Sequence, residues 1–331
     1  MDTPRTGPHE EARPGDPVAP PGYRLIEQRR VLGSVVRAVW RGPGGDELEW
    51  TSRGYRKGGR PRSRQAGGAV AHRPRPPLFG FAPHVLPWWV AVVFTTGSAF
   101  FVAGAAGAVT GPTRWWPNAL YFAGSVLFTI GAALQLREIA LAERDPRGSP
   151  QRAGRGLRRL RLYRPGRLDW NAAVIQQAGT LLFNINCLFG MSMSLTHAQE
   201  DMRVWVPSTV ASVCFVSSSW LSLVEAEGRW FCWRPRQLEW RITVASLLGS
   251  WGFLLSSIAG FFLGGSLGAA VTGLLGPHGE TLWLEYAVDG VLLAGSLWFL
   301  VSTYLMIPEA LGAARDGAPV AEADSPAGPT G

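Results

Sequence analysis

From Trp115 to Leu136 the chain reads WWPNALYFAGSVLFTIGAALQL without a charged side chain, and Arg137 and Glu138 follow at once. At about 1.5 Å per residue, a helix of this stretch covers the roughly 30 Å hydrocarbon core of a bilayer. Gly124, Phe128, Gly131, Gln135 and Glu138 fall on a single helical stripe. Six such apolar spans are present, near 88–109, 116–137, 171–192, 205–225, 242–263 and 286–307. The predicted fold class is therefore an all-α polytopic membrane protein of six transmembrane helices.

Charge sorts around those spans. The net charge is +8, although 47% of the residues are hydrophobic, and the basic residues are almost all Arg, with Lys57 the single lysine. Nine Arg lie between Arg144 and Arg167 in the second connection, and Arg229, Arg234, Arg236 and Arg241 occupy the fourth. The first, third and fifth connections hold Arg114 and Arg203 as their arginines, with His197, Glu200, Asp201, His278 and Glu280. The positive-inside rule then predicts both termini in the cytoplasm and a multi-pass protein of the plasma membrane.

Outside the spans, residues 1–22 read as a disordered tail rich in Pro, without a secretory signal, and 312–331 as a second disordered tail. Residues 23–80 form a basic cytoplasmic region with two readings. One is an amphipathic surface helix over Tyr23–Arg41; the other, preferred, is a β-hairpin with GPGG at 42–45 as its turn and Glu47–Thr51 as the returning strand. The basic run from Arg53 to Arg75 carries no acid and reads as an orientation signal and a contact for anionic lipid. It lacks a recognisable nucleic-acid-binding fold, so no nucleic-acid partner is expected.

The transmembrane domain, 81–311, repeats internally. A small residue, Ser or Thr, two variable residues and Phe recur as Gly97-Ser98-x-x-Phe101, Gly124-Ser125-x-x-Phe128 and Gly179-Thr180-x-x-Phe183. Ala211-Ser212-x-x-Phe215, Gly249-Ser250-x-x-Phe253 and Gly295-Ser296-x-x-Phe299 complete the set. Trp88, Trp170 and Trp240 open the odd spans, and Glu138, Glu225 and Glu309 close the even ones. The unit is a helical hairpin used three times, over 88–138, 170–225 and 240–309. Small residues and rings on one face favour close helix packing, the preferred role for this stripe.

With the spans FAGSVLFTIG and LLAGSLWFLV and the upstream ELEWTSRGYRKG, the chain resembles the YrhK-domain membrane proteins. The resemblance covers the six spans and Glu47 to Gly58. It implies a membrane fold without an assigned activity, and it transfers no site residue.

Candidate site residues come in three groups. Glu138, Glu225 and Glu309 lie ten residues, about 15 Å, beyond their Phe, at the cytoplasmic boundary. They form either an acidic ring at a pore mouth or, the favoured reading, interfacial pairs with Arg137, Arg229 and the loop arginines. Gln176, Thr180 and Asn184 line one face of the third span, as interhelical glue or as part of a transport path. Asp289 near the outer end of the sixth span either caps the helix start, snorkels outward, or receives a cation from outside.

Cys187, Cys214 and Cys232 have no disulfide or metal spacing, and His197 and His278 lack a second His at ligand distance. With no nucleotide, metalloprotease or serine-nucleophile motif, no enzyme, cofactor or metal is expected. The expected function is a non-enzymatic accessory, scaffold or sensor protein of the membrane. Its expected partners are the bilayer and anionic lipids through the Arg-rich loops, with a membrane protein or a second copy as candidates. A small channel or transporter is the alternative.

Overall fold

The computed structural model describes residues 16–64, 77–110, 115–142, 166–192, 194–230, 232–264 and 279–317. The first part is an antiparallel sheet, β1 (Arg24–Val31), β2 (Ser34–Arg41), β3 (Glu47–Thr51) and β4 (Arg62–Arg64), paired in that order. A short helix, α1 (Ser52–Arg56), leaves the end of β3 with Thr51 as its cap, and the Thr51 hydroxyl accepts from the Gly54 N–H. The hairpin reading of this region is correct and the surface-helix reading is not. A second turn divides the predicted first arm: Leu32 and Gly33 both have positive φ, 48° and 81°. Two successive left-handed residues match the right-handed twist of paired strands.

Six long helices follow: α2 (Leu86–Val109), α3 (Trp115–Ala142), α4 (Leu168–Gly190), α6 (Val206–Glu227), α7 (Leu238–Gly264) and α8 (Gly279–Gly317). A short α5 (His197–Glu200) and a wide helical turn, Asp201–Trp205, lead directly into α6. All six are long and apolar enough to cross a membrane. Their outward side chains, among them Ile130, Leu181, Val213, Leu255 and Leu297, are large, apolar and exposed. A surface of that kind is covered by lipid. The protein is a multi-pass membrane protein.

The helices close a ring. α2 packs on α3, α3 on α4, α4 on α6, α6 on α7, α7 on α8, and α8 returns to α2. Phe101, Phe128, Phe183, Phe215, Phe253 and Phe299 point into it and form one buried cluster with Phe94. Ring centroids of Phe253 lie 5.7, 5.5 and 5.2 Å from those of Phe101, Phe183 and Phe299, in edge-to-face and tilted contacts.

Within α2 and α3 the rings seat on glycine. A Cβ on Gly97 would meet Phe128 at 2.7 Å, and one on Gly124 would meet Phe101 at 2.9 Å. Gly179 seats Phe215 and Gly249 seats Phe299 in the same way. Three residues beyond their Phe, Ser218 and Ser302 donate to the carbonyls of Ala172 and Ile242 on the partner helix, each at 2.8 Å. The predicted packing stripe is the interior of the bundle.

Two expectations are corrected here. Helix α8 runs to Gly317, so 312–317 are helical and not tail; its sequence there, Gly-Ala-Ala-Arg-Asp-Gly, has Ala and Arg as good helix formers. Because α8 starts at Gly279, Asp289 lies in its interior and does not cap its start. The predictions for residues 1–15, 65–76, Arg114, 143–165, His278 and 318–331 fall outside the described residues.

Candidate functional site: an acidic collar filled by a basic finger

The site lies at the end of the ring where α2, α4 and α7 begin and α3, α6 and α8 end. Glu138, Glu225 and Glu309 do converge there, as the ring reading expected. Among the described residues, their partners are not Arg137, Arg229 or the loop arginines. They are Arg53, Arg56 and Lys57, on α1 and its cap, inserted between the helix ends.

Arg56 occupies the centre. Its Nη1 is 3.2 Å from Glu225 Oε2 and 3.5 Å from Asp169 Oδ2, and its Nε is 3.5 Å from Glu138 Oε1. One guanidinium therefore joins α3, α4 and α6. Arg53 grips Glu309 of α8 with two parallel bonds, Nε to Oε1 at 2.6 Å and Nη2 to Oε2 at 3.1 Å. Lys57 Nζ adds a third cation contact to Glu309 at 3.3 Å. The Ser52 hydroxyl donates to Glu225 Oε1 at 2.9 Å.

These groups are removed from water. Arg53, Arg56 and Lys57 are 5–7% exposed, while Glu138, Asp169 and Glu225 are each 3% exposed. Burial alone would lower both guanidinium pKa values. Glu309 for Arg53, and Glu225, Asp169 and Glu138 for Arg56, more than reverse this, and both end above the ordinary arginine value. The basic run was expected to face anionic lipid; its first three cations are instead consumed inside the protein. Charges buried together are stable as a set and costly to separate.

Asp169 and Glu239 are collar acids that the repeat pattern did not single out. Arg167 holds Asp169 from the rim with bonds of 3.0 and 2.6 Å, and Glu239 lies within electrostatic range of Arg53 and Arg62. A signal existed: each acid immediately precedes an opening Trp, Trp170 or Trp240, where Pro87 precedes Trp88. The same stretch holds a further regularity. Trp88 donates to Gly80 O at 2.9 Å and meets Phe81 edge to face, and Trp240 donates to Cys232 O at 2.8 Å and meets Trp233 edge to face. Tyr163-x-Pro165 has the same spacing before Trp170, outside the described residues.

Beneath the finger is a cavity with about 60 Å³ open to the centres of water molecules, enough for several waters. Gln135, Gln176, Ser222 and Ser246 line its walls, and Phe94, Phe128 and Phe299 form its floor. The polar side chains predicted to share one face of α4 reach different neighbours. Gln176 reaches this cavity and accepts from Ser218 at 3.3 Å. Thr180 donates to Gln177 O within its own helix at 2.8 Å, and Asn184 donates to Thr129 of α3 at 2.8 Å. Asp289 is about 30 Å of helix away from Glu309, toward the other end of the ring. His197 is exposed at the start of α5, and no group of His, Cys, Asp and Glu among the described residues could hold a metal ion.

No family model, curated protein or solved structure matches the chain.

Proposed function

We propose that this chain is a non-enzymatic integral membrane protein of the accessory, scaffold or sensor type, built to hold a small folded module against one face of the membrane. The observation that carries this reading is Arg56, buried among carboxylates of three different helices. The bundle offers a fixed acidic socket and the sheet supplies the matching cations. The aromatic layer on the ring axis favours an anchor over a conduit.

In this reading the ring consists of three parallel hairpin repeats about an axis near the membrane normal, in keeping with the resemblance to YrhK-domain proteins. The sheet end faces the cytoplasm of a plasma-membrane protein, because the most basic connections lie on that side. Exposed Arg229, Arg236 and Arg241 there contact anionic headgroups, and the module meets a protein partner or a second copy.

The channel alternative is favoured by one observation, the polar cavity under the finger. The two readings separate in liposomes. Under the scaffold reading, neither the wild type nor the Arg53→Ala/Arg56→Ala/Lys57→Ala variant raises ion or solute flux, and mild-detergent purification of the wild type retains a stoichiometric partner. Flux that appears when the finger is neutralised would replace the scaffold reading with a gated conduit.

A further inference from the structure

The collar is built as a receptor for cationic groups, and the ligand it holds belongs to the chain itself. Its two halves recognise different features. Glu309 accepts the fork of Arg53 through both oxygens and takes an ammonium group from Lys57. Glu138, Asp169 and Glu225 surround a single guanidinium. Planar, bidentate pairing of this kind fits an alkylguanidinium, and the Lys57 contact shows that the same carboxylate also accepts an alkylammonium.

The finger does not exhaust the site. Glu138 is 3% exposed, lines the cavity below Arg56, and its Oε2 has no hydrogen-bond partner. Arg53, Arg56 and Lys57 line the same cavity, so the finger closes it without filling it. The finger is also a short element. α1 is five residues long, contains Gly54 and is followed by Gly58 with φ 84°. Beyond the ion pairs, the sheet meets the bundle through an apolar seam, in which Val31 and Val36 meet Leu168, Val224, Trp220 and Leu221, and through Ser34, whose hydroxyl donates to Gly166 O and accepts from the Leu168 N–H.

From this geometry we infer that the collar and the cavity beneath it form a binding site for ligands carrying alkylguanidinium or alkylammonium groups, with the finger as a tethered occupant that such ligands displace. The inference deepens the scaffold and sensor reading, naming the chemistry to which the docked module responds. The cation comes either from a free polyamine or from an arginine-bearing segment of a partner.

The experiment uses the full chain in nanodiscs of neutral phosphatidylcholine, with spermidine and an Arg-Gly-Arg peptide amide as probes. Calorimetry on Arg53→Ala/Arg56→Ala/Lys57→Ala is expected to give at least tenfold tighter binding than wild type, since the occupant is gone. Adding Glu225→Gln and Glu309→Gln abolishes it. Stronger binding of the peptide identifies a partner segment as the source, and stronger binding of spermidine a free polyamine. Equal affinity for wild type and variant, or equal competition by potassium, overturns the inference.

Should the variant fail to fold, hydrogen exchange on the wild type decides. Saturating spermidine should speed exchange of the amides at 52–58 while the helices stay protected, and potassium chloride of equal ionic strength should not. An equal effect of the salt, or no effect of spermidine, rejects the site. Flux through the finger variant would remove the scaffold reading and leave this binding result standing.

Discussion

The ring is closed twice along its axis, by opposite chemistry. In the middle, phenylalanine rings from all six helices meet, and Phe101, Phe128, Phe215 and Phe299 are seated on glycines of their hairpin partners. At the sheet end, three cations fill a socket of carboxylates. The aromatic layer tolerates local error, because each ring has several neighbours and dispersion is spread over many weak contacts. The charged collar does not, because each lost partner leaves a buried charge uncompensated. Depth explains the division of labour. Mid-membrane, helix association relies on close packing, whereas near the interface ionised groups can be held at acceptable cost if they are paired.

The largest effect expected is that of Arg56→Ala, which strips one cation from three acids and weakens docking of the sheet by about 3–5 kcal/mol. Hydrogen exchange should show lost protection over 24–64 with the bundle unchanged. Pairing it with Glu225→Gln should recover part of the loss; full additivity of the two changes would mean that these groups do not act as a set.

Next comes Phe253→Ala, which removes a ring touching three others and costs about 3 kcal/mol in bundle stability. Its signature is the reverse, a lower Tm of the helices with the finger still docked. Asn184→Leu breaks the bond to Thr129 and should cost about 0.6 kcal/mol, near the limit of a detergent unfolding titration. A loss of several kcal/mol there would give α4 a role beyond glue.

The smallest effect is that of alkaline pH on the arginine pairs. Arg53 and Arg56 are raised above their ordinary value, so their contribution is complete at any pH below the ordinary arginine pKa and is lost only as the pH rises through the still higher folded value. Docking measured by hydrogen exchange, corrected for the intrinsic rate, should therefore not change between pH 7 and pH 10 on their account.

The aromatic half of this comparison was legible in the sequence and the charged half only in part. Gly, Ser and Phe recur at fixed spacing inside each span, so local periodicity carries the packing face. Glu138, Glu225 and Glu309 were found by the same regularity. Their partners were not, because Arg53 meets Glu309 across 256 residues and Arg56 meets Glu225 across 169, and no local period connects them. In sequence, Arg53, Arg56 and Lys57 resemble the rest of a basic juxtamembrane run; only the cap at Thr51 and the turn at Gly58 aim them inward. The Leu32–Gly33 turn was hidden for another reason: leucine is a poor guide to a left-handed conformation.

The span of the Arg53–Glu309 pair also bears on how the protein is made. At about 5–20 residues per second, a ribosome needs roughly 10–50 s to travel from the first partner to the second. Throughout that interval the newborn finger has cations and no complete socket. The earlier hairpins can insert two by two, but the α2–α8 seam and the Glu309 clasp must await the last helix. Complete docking of the finger thus reports that synthesis has passed Glu309, and a chain stopped before it would leave Arg53 and Lys57 without that carboxylate.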